Sequence, residues 1–175
     1  MDFTLFYRGV VKSKATKDAK HSIRKYFGRQ LARLCKLAPL RNHPKWFGPG
    51  SRLSTNVGGN VYYFLVARSL DMYAELQITV LVPPSGRSFR DIDNKLKVIC
   101  DALSVPSPSQ IPASARGERL YCLLQNDELV YQLSVDTDYL LTDKIPSKSK
   151  DKTLWLIHVT LKGNTIDPEY HELIV

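Results

Sequence analysis

Several things are missing from this 175-residue chain, and each absence excludes a class of protein. The cysteines number three, Cys35, Cys100 and Cys122, with no CxxC pair and an odd count. That spacing argues for free thiols in a reducing compartment, against a disulfide scaffold and against a structural zinc. The four histidines, His21, His43, His158 and His171, show no HxxxH or HExxH spacing, so they offer no zinc site either. The first residues lack a charged segment followed by an apolar run, which leaves no signal peptide. The longest apolar run, Val61 to Ala67, is far too short to cross a bilayer. Repeats are missing, and so is any composition break that would demand a second domain. The expectation is a cytoplasmic protein of one domain, with no membrane and no nucleotide cofactor.

Acidic residues are scarce in the front of the chain. Residues 1–50 carry 12 Lys/Arg against only Asp2 and Asp18, while residues 51–175 carry 13 Lys/Arg against 15 Asp/Glu. The formal net charge of +8 is therefore an uneven one: a strongly basic front on a nearly neutral body. Such asymmetry suits a polyanion such as nucleic acid, although basic patches also serve membranes and acidic partners.

The pattern of apolar residues divides the chain into elements. Phe3 to Arg8 reads as a short first strand. From Asp18 to Leu37 the period becomes helical. Ile23, Tyr26, Phe27, Leu31, Leu34 and Leu37 fall on one side, and Lys25, Arg29, Arg33 and Lys36 fall on the other. Four spaced cations are often just a solvated face, but they also have the pitch to follow a phosphate backbone. Gly28 costs such a helix about 1 kcal/mol relative to Ala. Residues 38–60 read as loop, punctuated by Pro39, Pro44, Gly48-Pro49-Gly50 and Gly58-Gly59-Asn60. Trp46 and Phe47 within it are expected to plug the edge of the core rather than to stack on bases.

Val61 to Arg68 and Tyr73 to Pro83 read as strands. The second is the clearest: Ala74, Leu76, Ile78, Val80 and Val82 alternate with Tyr73, Glu75, Gln77, Thr79 and Leu81. A helix over Asp91 to Leu103 follows, with an apolar stripe of Ile92, Leu96, Ile99, Cys100 and Leu103. Asp93, Lys97 and Asp101 share another face at i, i+4 and i+8. Residues 104–118 are a Ser/Pro-rich loop. Leu129 to Val135, extending toward Leu140, and Leu154 to Lys162 read as the last strands, joined by a polar turn at 143–152. The chain thus divides into a basic strand-helix region over 1–50, a core over 61–162 and an irregular tail over 163–175. The class is α+β: one mixed sheet packed against helices.

Most of the chemistry is concentrated at Arg90-Asp91-Ile92-Asp93-Asn94-Lys95-Leu96-Lys97. Two carboxylates one residue apart, an amide and a lysine occupy the start of a helix, where a hard cation and a phosphate would both be at home. Phosphodiester hydrolysis needs an in-line water and charge stabilisation on the attacking and leaving oxygens, which Mg²⁺ held by carboxylates supplies. Asp127, in Gln125-Asn126-Asp127-Glu128, is the best candidate for a third carboxylate from elsewhere. Lys97, one turn below Asp93, could steady the transition-state charge or orient the water. Each of these residues has an ordinary alternative role: Asp91 as an N-cap, Asp93 as a first-turn acid, Lys97 as its i+4 ion pair and Asp127 as a turn residue.

The run Asp91-x-Asp93-Asn94-x-x-Lys97-x-x-x-Asp101-Ala102-Leu103 resembles the signature of the RusA-type Holliday-junction resolvases. The order of elements around it agrees, over about residues 71–162. The resemblance implies a RusA-like homodimer that nicks four-way DNA junctions in recombination and repair. It assigns Mg²⁺ binding to Asp91, Asp93 and Asp127, with Mn²⁺ as a substitute, and assigns a role in cleavage to Lys97. Arg87 and Arg90 join Lys25, Arg29, Arg33 and Lys36 as the expected DNA contacts. The chain differs from the family in having Asn126-Asp127 where paired acids are usual. It also has a longer loop before Asp127, and a basic helix in place of a Pro-rich, Asn-containing loop. The alternatives to a nuclease are a RusA-like fold that binds nucleic acid without cutting it, and a domain whose basic helix docks an acidic protein.

Overall fold

The computed structural model describes residues 1–84, 91–141, 153–164 and 168–174. Its first strand, β1 (Asp2–Gly9), alternates as its sequence does, with Leu5 and Gly9 inward and Thr4, Phe6 and Arg8 outward. Helix α1 (Lys17–Leu34) begins at Thr16, whose hydroxyl accepts from the Ala19 N–H at 3.2 Å. Asp18 in its first turn and Arg33 in its last complement the helix dipole. The buried face carries Ile23, Phe27 and Leu31 together with His21, Arg24 and Gly28. The helix stops three residues before the expected end, and Leu37 is exposed rather than part of the apolar stripe.

Residues 38–60 are more ordered than their punctuation predicts. Two 3₁₀ turns, Leu40–Asn42 and Pro44–Phe47, lead to a short strand, β2 (Ser54–Val57), which pairs antiparallel with β3 (Asn60–Val66) across Gly58-Gly59. Both glycines have positive φ, 59° and 79°, as a tight two-residue hairpin turn requires. Trp46 is 2% exposed and stacks between His43 and Tyr170, so it belongs to the core edge.

The central strand is β4 (Met72–Val82), with Ala74, Leu76, Ile78, Val80 and Val82 buried in strict alternation. Helix α2 (Ile92–Leu103) follows, burying Val98, Ile99, Ala102 and Leu103. The chain then forms β5 (Arg119–Leu124), which runs parallel to β3. This strand was not expected. Its segment Leu120–Leu124 is a short, nearly continuous apolar run buried on both faces, and such a run shows no period of two. Last come β6 (Val130–Tyr139), parallel to β4, and β7 (Thr153–Gly163), antiparallel to both β1 and β4.

Instead of one mixed sheet there are two: a four-stranded sheet in the order β1-β7-β4-β6 and a three-stranded sheet in the order β2-β3-β5. The two α-helices of the described residues pack on each other and on β5, and α1 also reaches β1. Gln30 of α1 closes the β1 edge, accepting from the Phe6 N–H at 3.1 Å and donating to its carbonyl at 2.8 Å. A single buried cluster runs through both sheets and both helices, from Phe27 and Ile99 to Ile78, Trp155 and Ile157. The result is a single-domain α+β fold. No helix of the described residues is long and apolar enough to cross a membrane.

Candidate active site and nucleic-acid interface

The motif helix begins at an unusual backbone. Asp91 has φ 61° and ψ 41°, a left-handed conformation that few residues other than glycine adopt. It does not act as the ordinary N-cap, since its side chain bonds none of the first backbone N–H groups. Its carboxylate instead accepts from the Ser13 hydroxyl and the Asn94 amide, and these two hydrogen bonds, with Lys95 and Lys14 nearby, hold it below the usual carboxylate range. Ser13 lies in the connection between β1 and α1. The front of the chain and the motif therefore meet at one point, with Lys14 beside the acid.

Asp93, Asn94 and Lys97 lie on the exposed side of α2. Asp101, the third residue of that face, is taken by Lys20 of α1 in an ion pair that is mostly shielded from solvent. The far end of α2 is closed by Arg24, which is 1% exposed. It donates to the carbonyls of Asp101 at 2.6 Å and Ser104 at 3.0 Å. A buried cation at a helix C-terminus satisfies carbonyls that the helix leaves open and complements its dipole. Arg24 had a legible signal, because it stands three residues before Phe27 and seven before Leu31, inside the buried stripe.

Asp127 starts a 3₁₀ turn, Asp127–Leu129, ahead of β6 and is exposed. The Cys100 thiol is pushed up to about 11 by burial first, and then by the charges of Asp127 and Asp101. Cys100 is seven residues beyond Asp93, about 10 Å along the helix axis. No three His, Cys, Asp or Glu side chains among the described residues lie close enough to hold one metal ion. Asp91, Asp93 and Asp127 are not gathered as one three-ligand group among the described residues. Asp91 and Asp93 remain together at the α2 start, and Mg²⁺ is commonly held by only one or two carboxylates plus the phosphates of a substrate.

Asn126 explains its own departure from an acidic pair. Its Oδ1 is shielded from solvent with no hydrogen-bond partner. An ionised carboxylate in that place would be far more costly than an amide.

The basic residues separate into two groups. Lys25 is bound to Glu118 at 2.7 Å, and Glu118 also receives His21 Nε2 at 2.9 Å, so Lys25 is partly neutralised. Arg29 is exposed, its guanidinium 5.6 Å from the centre of the Tyr26 ring. Arg33 is exposed in the last turn, and Lys36 is exposed beyond the helix end. Arg87 and Arg90 lie outside the described residues. The sequence reading missed Ser13, Lys14 and Arg119. The first two carry no local signal, because their relation to Asp91 is a tertiary contact between segments 78 residues apart. Arg119 went unnoticed because β5 itself did. No protein-family model, curated protein or solved structure matches this chain.

Proposed function

We propose that this chain is a Mg²⁺-dependent, RusA-like endonuclease that cuts branched DNA, four-way junctions above all, acting as a cytoplasmic homodimer in recombination and repair. The observation that carries the reading is the start of α2. An aspartate in a strained backbone conformation stands two residues before a second, exposed aspartate and six before an exposed lysine, and a loop from the basic front of the chain grips it. Backbone strain of this kind concentrates at functional sites, and the residue spacing is that of the resolvase motif. In this reading Asp91 and Asp93 are the metal ligands at the helix start, and Lys97 stabilises charge on the phosphate. Asp127 acts from the turn before β6, and the α1 cations hold the DNA.

Cleavage of a labelled synthetic four-way junction, beside a matched linear duplex, tests this in Mg²⁺, Mn²⁺ and EDTA. Metal-dependent paired nicks in the junction alone are expected. Asp91→Asn, Asp93→Asn and Asp127→Asn should each abolish cutting and leave binding largely intact. A variant that still cuts at the wild-type rate removes that residue from the assignment.

One observation favours the second reading, a RusA-like protein that binds nucleic acid without cutting it: no three His, Cys, Asp or Glu side chains among the described residues are grouped to hold a metal ion. Tight, salt-sensitive binding with no product in either metal would select it.

A further inference from the structure

A cleft of about 190 Å³ separates the outer side of α1 from the start of β5. Its floor is Leu120, Tyr121 and the small residues Gly28 and Ala32, and its rims carry Lys25 and Arg29 on the helix and Arg119 on the strand. Gly28 is what lets the two elements come so close. A Cβ there would stand 2.9 Å from the Tyr121 carbonyl oxygen, which belongs to the backbone and cannot turn aside. The adjacent acid, Glu118, is held by His21 and Lys25. That leaves two exposed arginines, Arg29 on the helix and Arg119 on the strand, lining an open groove. A cleft lined by arginine from two elements suits an anion with several acceptor oxygens, for which arginine is better shaped than lysine.

We infer that this cleft is a phosphate site that grips the backbone of a DNA arm leading away from the motif helix. The inference rests on the nuclease reading and gives it a geometry. Ser13, three residues before the Thr16 cap, touches Asp91. Arg29 is 13 residues beyond that cap, about 20 Å along the helix axis. At 3.4 Å per base on one strand, the cleft receives a phosphate about six base pairs from the one that faces Asp91. The exposed cations Arg33 and Lys36 continue the same course past the cleft. Helix α1 is thereby a rail for one duplex arm. Arg119 is the member of the binding surface that comes from outside the basic front of the chain.

The test is equilibrium binding of a four-way junction in EDTA, with neutral methylphosphonate linkages placed five to seven base pairs from the branch in each arm. Wild type should lose affinity several-fold on the neutralised junction, and its slope of log K against log salt should fall by about 1 per contact removed. Arg119→Glu should show the lower slope already on the ordinary junction and no further loss on the neutralised one. Arg119 is exposed, and an unchanged unfolding midpoint confirms that the variant is folded. Equal binding of the two junctions by wild type, or an unaltered slope in Arg119→Glu, overturns the cleft assignment. If wild type still cuts the ordinary junction in Mg²⁺ under that result, the nuclease reading stands without the cleft. If it neither binds nor cuts, both fall.

Discussion

Arg24, in the middle of α1, donates to the Asp101 carbonyl 2.6 Å away and so closes a helix 77 residues further along the chain. A second bond to the Ser104 carbonyl at 3.0 Å completes the seal. Desolvation lowers the Arg24 pKa, so the buried cation depends on the two carbonyls that accept from it. Truncation removes two charge-assisted hydrogen bonds and leaves a void. Arg24→Ala is therefore expected to lower unfolding stability by about 3 kcal/mol. Urea denaturation measures this, and a loss below about 1 kcal/mol would mean that the α2 carbonyls find other donors.

Gly28 offers a test of sign. Helix propensity alone makes Gly28→Ala stabilising by about 1 kcal/mol. The contact with the Tyr121 carbonyl, which a Cβ would approach to 2.9 Å, predicts the opposite. Forcing α1 away from β5 should cost about 1–3 kcal/mol, as overpacking generally does. A raised melting temperature would show that the two elements separate easily.

The Ser13 contact is readable in a titration. Its hydroxyl is the largest cause of the lowered Asp91 pKa, ahead of Asn94. In Ser13→Ala the Asp91 carboxyl should titrate at higher pH than in wild type, followed by carboxyl ¹³C chemical shifts. An unmoved Asp91 titration would detach the β1–α1 connection from the motif.

His21 makes stability depend on pH. Burial lowers its pKa below 6.5 and outweighs the opposing pull of Glu118. The buried Nδ1 has no partner, so a proton placed there would go unsatisfied while Nε2 bonds Glu118. With the folded pKa below the unfolded one, the unfolded state binds more protons in the window between them, and stability rises with pH. The contribution is present above about pH 6.5 and is lost as the pH falls through the folded value. His21→Gln should flatten the pH dependence of the urea midpoint below about pH 6.5. A slope equal to that of wild type would assign the effect to another group.

Much of the architecture was legible in the residues themselves. The alternation of β4, the helical period of α1 and α2, and the strands β1, β3, β6 and β7 follow from local periodicity, because a half-buried element must repeat its apolar residues at its own geometric period. The uneven charge and the Asp91-to-Leu103 motif are likewise properties of the sequence alone. The short β2 and the mostly buried β5 were hidden, since one is too brief and the other too uniformly apolar to show a period. The division into two sheets was hidden with them, because strand pairing depends on contacts between distant segments. The same holds at the site. Residue type marked Asp91, Asp93, Lys97 and Asp127 as chemical groups. Only the tertiary structure gave Lys20 to Asp101, buried Arg24 and brought Ser13 to Asp91. A local pattern can specify which face of an element is apolar, but where two charged side chains meet is decided by how the elements pack.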